Sequence, residues 1–181
     1  MEQTIVTGQM ITVQRLTPDS TALDAINRVI ESAVLGWNLA ERVKRLVLPS
    51  YRYTPLDVQH LSVTVARDQK DDIVGVASWE EADAVDSPQI GAALVLHGLF
   101  VAPRQQGRGI GGLLVDQVVK VAAGSGYDAL LVKAQRDAQG FFASQGFRSL
   151  TVGDAAHDYA HRLWRPVQQP RHQPHNANSH R

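Results

Sequence analysis

From the N-terminus onward, the spacing of apolar and polar residues changes several times, and each change marks an element. Residues 1–9 carry no sustained pattern and read as a short lead-in, with Met10 as an alternative start. Ile11-Thr12-Val13-Gln14-Arg15-Leu16 alternates as a half-buried strand does. Thr17-Pro18-Asp19 offers a cap, a proline at the first helical position and a first-turn acid. Leu23, Ile26, Val29, Ile30, Ala33 and Val34 then recur at helical spacing until Trp37 ends the run. A second helix is predicted from the capping-box-like Asn38-Leu39-Ala40-Glu41, with Val43, Leu46 and Val47 turned inward and Pro49 as its stop. Pro49 to Pro55 reads as an aromatic loop between prolines.

Leu61 to Ala66 and Ile73 to Glu80 both read as strands, joined by the polar turn 67–72, so they predict a hairpin. Residues 81–92 are acidic, small and turn-rich, a mobile connection. Leu94 to Val101 is a strongly apolar strand, and Ile110, Leu113, Leu114, Val118, Val121 and Ala122 form one buried helix face after it. Tyr127 to Ala134 predicts a strand parallel to Leu94–Val101, because a right-handed crossover helix lies between them. A short helix around Phe141 and strands near 149–152 and 159–164 complete one domain over residues 1–167. From Gln168 the chain holds nothing apolar to bury, and 168–181 reads as a disordered tail rich in His and Pro. A metal site on those histidines lacks an ordered scaffold, and no metal is expected.

Between the central strand and its helix lies Ala102-Pro103-Arg104-Gln105-Gln106-Gly107-Arg108-Gly109-Ile110-Gly111-Gly112. A strand, a glycine-rich loop and a helix in that order build an anion site. Glycine lets the backbone approach a ligand, and the free N–H groups at the helix start point outward with the positive end of the helix dipole behind them. A diphosphate suits it, and Arg104 and Arg108 lie near enough to add charge-assisted hydrogen bonds or to remain solvated loop arginines. Gly107-x-Gly109-x-x-Gly112 also matches the dinucleotide fingerprint. Against that, nearly a hundred residues precede the loop, a proline segment separates strand from helix, and the next strand ends at Lys133 rather than at an acid. A nucleoside-triphosphate loop fails because no Lys-Ser or Lys-Thr follows the glycines.

Composition narrows the chemistry further. The 181 residues can bury a sizeable core, and 18 basic residues balance 18 acidic ones, so no net field draws the chain to nucleic acid or membrane. No apolar run reaches a membrane span and the first residues lack a signal-peptide form, so a cytoplasmic address is the default expectation. With no cysteine, disulfides, thiolate metal sites and a covalent cysteine mechanism are excluded.

In a second register, Gln106-x-x-Gly109-x-Gly111 preceded by Leu99-x-Val101-x-Pro103 resembles the acyl-coenzyme A signature of the GNAT N-acetyltransferase superfamily. Ala138-x-x-Phe141-Phe142-x-x-x-Gly146-Phe147 resembles that family's second landmark, in the expected order and at the expected distance. The resemblance covers roughly residues 10–165 and is strongest over 94–147. It implies an α+β fold with a mixed sheet of about seven strands, about four helices and a central splayed strand pair. It also implies that acetyl-CoA is held by Leu99, Phe100 and Val101, by the loop Gln106, Gly107, Arg108, Gly109, Ile110, Gly111 and Gly112, and by Ala138, Phe141 and Phe142. The first two helices and the loop after them would form the acceptor side, with Trp37, Tyr51 and Tyr53 against an amine substrate; a packed surface connection is the plainer role of that loop. Homodimers are frequent in such folds, which makes a homodimer one expectation.

Acetyl transfer from a thioester to an amine needs a grip on the diphosphate, an aligned arm, removal of an ammonium proton and a route for the thiolate. Gly98 is the expected site of a bulge that splays the strand, with Leu99 and Val101 as main-chain partners of the arm. His97 interrupts the apolar strand just before it, and an imidazole with pKa about 6.5 suits a base. Leu96-His97-Gly98-Leu99-x-Val101 is similar to the arylalkylamine branch, where a catalytic histidine stands at this strand position. A buried histidine satisfied by a carbonyl is the plainer reading. Glu80, with Glu81, is the second candidate base, acting through water; otherwise both sit at a solvated strand end. Phe142 departs from the family's usual tyrosine and cannot donate a proton, leaving Tyr159, Ser144 or water as the acid, or an unassisted thiolate. A non-catalytic acyl-CoA-binding module and an NAD(P)-binding protein are the rival functions.

Overall fold

The computed structural model describes residues 2–6, 8–17, 22–83, 91–150 and 161–167. Its centre is one eight-stranded sheet. In chain order the strands are β1 (Glu2–Val6), β2 (Gln9–Arg15), β3 (Ser62–Arg67), β4 (Ile73–Glu81), β5 (Ala93–Val101), β6 (Ala129–Lys133), β7 (Arg148–Ser149) and β8 (Arg162–Pro166). They lie side by side as β1-β2-β3-β4-β5-β6-β8-β7. All neighbours are antiparallel except β5 and β6, which run parallel with helix α4 (Ile110–Gly124) crossing between them.

Two helix layers cover the sheet. On one face α1 (Leu23–Leu35) presses Ile26, Val29, Ile30, Ala33 and Val34 onto Val63, Val65, Val76 and Phe100. On the other, α4 presses Ile110, Leu114, Val115, Val118 and Ala122 onto Ala66, Ala77, Trp79, Leu94 and Leu96, joined by α5 (Gln139–Ser144) through Phe142. Burying each of these large side chains contributes about 1.5–3 kcal/mol. The two helix faces are therefore the main anchors of the sheet.

Several expectations are corrected. The supposed lead-in is strand β1, which pairs with β2 from Glu2↔Val13 to Val6↔Gln9 across the turn at Gly8, giving eight strands in place of about seven. Helix α1 ends at Leu35, with Gly36 as its C-cap, rather than at Trp37, while its expected start at Pro18-Asp19 lies outside the described residues. Helix α2 (Glu41–Tyr51) starts at Ala40 with no side-chain cap, so the capping box at Asn38 does not form. It also continues through Pro49, whose position is exposed, so the carbonyl left without a donor faces water.

The inner face of α2 keeps Val47 against the core, as predicted, but is otherwise turned from the predicted one. Val43 and Leu46 are exposed and Lys44 is buried, because its ammonium donates to the Leu35 carbonyl at 2.8 Å and to Glu41 at 2.8 Å. A cation on the last carbonyls of α1 offsets the negative end of that helix, and this tie sets the rotation of α2. The aromatic loop is also shorter than predicted. Thr54 and Asp57 make a reciprocal capping box that starts helix α3 (Pro55–His60), so the described residues hold five α-helices in place of about four. Of the strands expected near 149–152 and 159–164, the described residues show β7 at Arg148–Ser149 and β8 at Arg162–Pro166. Residues 151–160 and the tail 168–181 lie outside the described residues.

Candidate active site

After β5 the chain makes a 3-10 turn over Pro103–Gln105 and swings through Gln106 and Gly107 into α4. Gly109 is the N-cap in the left-handed region, at φ 82°, where any side chain is strained. A Cβ there would also stand 2.9 Å from Val6 of β1, and one at Gly111 would stand 3.1 Å from the Phe141 ring. The helix start is thus wedged between the N-terminal hairpin and α5. The first bond back into this turn runs from the Leu113 N–H to the Gly109 carbonyl at 3.1 Å. The N–H groups of Gly107 to Gly112 consequently have no acceptor among the described residues and form a cluster of donors at the positive helix end. Arg108 donates to the Gln9 side chain at 3.1 Å, while Arg104 is exposed.

β5 and β6 pair only from Ala93↔Ala129 to Leu96↔Val132. Beyond that, β5 keeps β4 on one side and has no strand on the other edge among the described residues. Ala102 N–H bonds the Val74 carbonyl at 2.9 Å, so by alternation Phe100 and Gly98 turn their main chain to β4 while Leu99 and Val101 turn theirs to the open edge. The Val101 carbonyl accepts from Nε2 of Gln106 at 2.9 Å. Leu99 and Val101 are half-buried and pack against the same core cluster as Phe141 and Ala138.

A bulge stands where the strands part. Ser78 faces Gly98 but Trp79 faces Leu96, so the extra residue is His97, one position before the expected Gly98. The bulge sends both residues to the α1 face. Gly98 has no room for a Cβ, which would collide with the Tyr53 hydroxyl and lie 2.8 Å from the Phe100 ring. His97 holds Oε1 of Glu80 through Nε2 at 2.6 Å, with both side chains a little under half exposed. A buried histidine satisfied by a carbonyl therefore does not describe it. Glu81 is exposed at the end of β4.

The three aromatic residues expected on the acceptor side do gather on the α1 face. Asn27, buried in α1, clamps Tyr53 at both main-chain groups, accepting from its N–H and donating to its carbonyl, each at 2.8 Å. The Tyr53 hydroxyl bonds Ser78, and burial pushes this phenol up to about 12, so it stays a neutral hydrogen-bonding group. Tyr51 meets Trp37 and Phe100 edge-on, at 5.0 and 6.0 Å between centroids, and its hydroxyl accepts from Nε2 of Gln135.

Phe142 is buried between Phe141 and Phe147, with centroids 5.1 and 5.2 Å away. The spacing that made this motif visible is a helix ending: Gly146 is left-handed, and the Phe147 N–H returns to the Phe142 carbonyl at 3.1 Å, bringing the two rings together. Phe142 is a core anchor with no proton to give. Ser144 spends its hydroxyl on the Phe141 carbonyl at 2.6 Å. Tyr159 lies outside the described residues.

Three residues at this site were not singled out from the sequence: Asn27, Ser78 and Gln135. The first two carried a signal, being polar positions inside the apolar stripe of α1 and the apolar run of β4. Gln135 carried none. Among the described residues no three His, Cys, Asp or Glu side chains group as a metal site, and no helix is long and apolar enough to cross a membrane. A cavity of about 480 Å³ lies elsewhere, among Leu16, Ile26, Val58 and Leu61, and none of the residues above lines it.

Comparison with known proteins fits this geometry. Residues 51–159 match the profile of the Acetyltransferase (GNAT) domain. A search of curated proteins finds no significant match. Among solved structures, the PaiA N-acetyltransferase of Thermoplasma acidophilum, in complex with coenzyme A, superposes with a TM-score of 0.66 at 13% identity over 86% of this chain and 98% of its own. A GCN5-related N-acetyltransferase of Rhodopseudomonas palustris gives 0.64 at 16% identity over 92% and 99%. Tetrahymena GCN5 gives 0.59 at 17% over 87% and 96%. At such identities the likeness is one of fold, and it agrees with the α+β mixed sheet expected from the motifs. With more than half of its length matched by the domain profile, the chain belongs to the GNAT acetyltransferase family.

Proposed function

We propose that this protein transfers an acetyl group from acetyl-CoA to a primary amine by direct attack in a ternary complex. The observation that carries the reading is the run of N–H donors from Gly107 to Gly112, without an acceptor among the described residues, beside the open edge of β5. Gly107 has nothing within 4 Å of where a Cβ would stand, so the cradle is open to a diphosphate. That the Thermoplasma relative was solved with coenzyme A supports the same use here. Leu99 and Val101 would then hold the arm along the open edge, with Phe100, Ile110, Ala138, Phe141 and Phe142 shaping the walls. The bound thioester supplies the activated acetyl group.

His97 is the base in this reading. Its Nε2 is committed to Glu80, which leaves Nδ1 to take the ammonium proton. Glu80 orients the ring and is the alternative base through water. With Phe142 unable to donate, the thiolate departs unaided or with help from Tyr159; a thiolate is a stable enough leaving group for the former. The absence of cysteine removes a cysteine-bound acetyl intermediate.

Calorimetric titration with acetyl-CoA and, separately, NADPH tests the reading. The expected result is binding of acetyl-CoA alone, weakened by about 100-fold or more in Gly109→Val, since that side chain is strained at φ 82° and crowds Val6. Binding of NADPH without acetyl-CoA would return the loop to the dinucleotide fingerprint.

A further inference from the structure

Beyond Leu96 and Val132 the strands β5 and β6 separate, and a side-chain pair crosses the gap between them on the α1 face. Tyr51 comes from the last residue of α2 and Gln135 from two residues past the end of β6, 84 positions apart in the chain, and the Gln135 amide donates to the Tyr51 hydroxyl. The Tyr51 ring is held against Trp37 and Phe100, so the crossing has a fixed footing on one bank.

We infer that Tyr51 and Gln135 form a bar across the acceptor side of the splay, and that this bar makes the site accept the terminal amine of a small molecule and reject a lysine within a polypeptide. The inference rests on the acetyl-transfer reading above and specifies its substrate class. A lysine inside a chain can reach the thioester only if the polypeptide on both sides of it lies along the groove. The bar interrupts that path. A terminal amine needs only the mouth beside His97 and Glu80, both exposed to solvent. That mouth also suits a cation, with the Glu80 carboxylate exposed beside His97. Its walls do not give way easily: Tyr53 is clamped by Asn27, and Gly98 is already in contact with Tyr53 and Phe100.

The test needs no turnover. Three ligands are titrated calorimetrically into the full chain: coenzyme A, coenzyme A joined through an acetyl linker to butylamine, and coenzyme A joined in the same way to a mid-chain lysine of a peptide blocked at both ends. The amine conjugate is expected to bind at least about 10-fold more tightly than the peptide conjugate. Tyr51→Phe, which keeps the ring packing and loses the bond, and Gln135→Ala should each bring the two conjugates within about 3-fold of one another. Equal binding of both conjugates by the unsubstituted protein overturns the inference. So does a gap that survives in both variants, or conjugates that bind no better than coenzyme A. If coenzyme A itself does not bind, the acetyl-transfer reading falls first and takes the bar with it.

Discussion

The two sides of the splayed strands are held by different means. On the α4 side the working groups are main-chain N–H donors, and what positions them is local: a 3-10 turn, a left-handed Gly109 and the start of a helix within a few residues. On the α1 side the working groups are side chains fixed across long stretches of chain. Asn27 reaches Tyr53 over 26 positions, Tyr53 reaches Ser78 over 25, and Tyr51 meets Gln135 over 84. Main-chain donors are the same whatever the neighbouring side chains are, so the first arrangement can persist while sequence drifts. The second changes with a few substitutions, which suits the acceptor side we propose for it.

The sharpest way to separate the two sides is at their junction. His97→Ala is expected to lower turnover near neutral pH by about 10²–10⁴-fold while leaving acetyl-CoA affinity as it was. Turnover unchanged across the pH range in which an imidazole titrates would remove His97 as the base and leave Glu80. Next in size is Asn27→Ala, which strands the Tyr53 main chain and should cost about 1–3 kcal/mol in urea unfolding. It should raise KM for the amine and spare affinity for acetyl-CoA; if both weaken together, the two sides are not independent. Thr54→Ala removes the cap of α3 and should cost about 1 kcal/mol by the same measurement. Smallest is Leu46→Gln. At 77% exposure, on the outer face of α2, it should change stability by less than about 0.5 kcal/mol, whereas a residue turned inward as the periodicity implied would cost several times more.

The same division explains what could be read from the chain. The parallel pair, the crossover helix and the glycine loop were legible because period, glycine and strand order are local signals. Phe142-x-x-x-Gly146-Phe147 was legible as a motif because one helix ending dictates it. The rotation of α2 was not, since the burial of Lys44 is decided by a carbonyl at the end of another helix. β1 was missed because only Thr4 and Val6 of its five residues turn partly inward, too short an alternation to stand out before its partner strand is known. Gln135 became visible only when the fold brought Tyr51 to it.

Gly98 carries a consequence for how such a site could change over time. The space its missing Cβ would fill belongs to the Tyr53 hydroxyl and the edge of Phe100. A methyl group gained at position 98 first would force out a tyrosine held at its main chain by Asn27. Losing the Tyr53 oxygen first leaves the Phe100 edge and the Ser78 hydroxyl, 3.3 Å away, to yield. The effects of Gly98→Ala and Tyr53→Phe should therefore not add, the pair together being milder than their sum. The order of substitution becomes part of the heredity of the pocket: the path that begins with Tyr53→Phe meets less resistance, and the path that begins with Gly98→Ala runs through a chain that folds poorly.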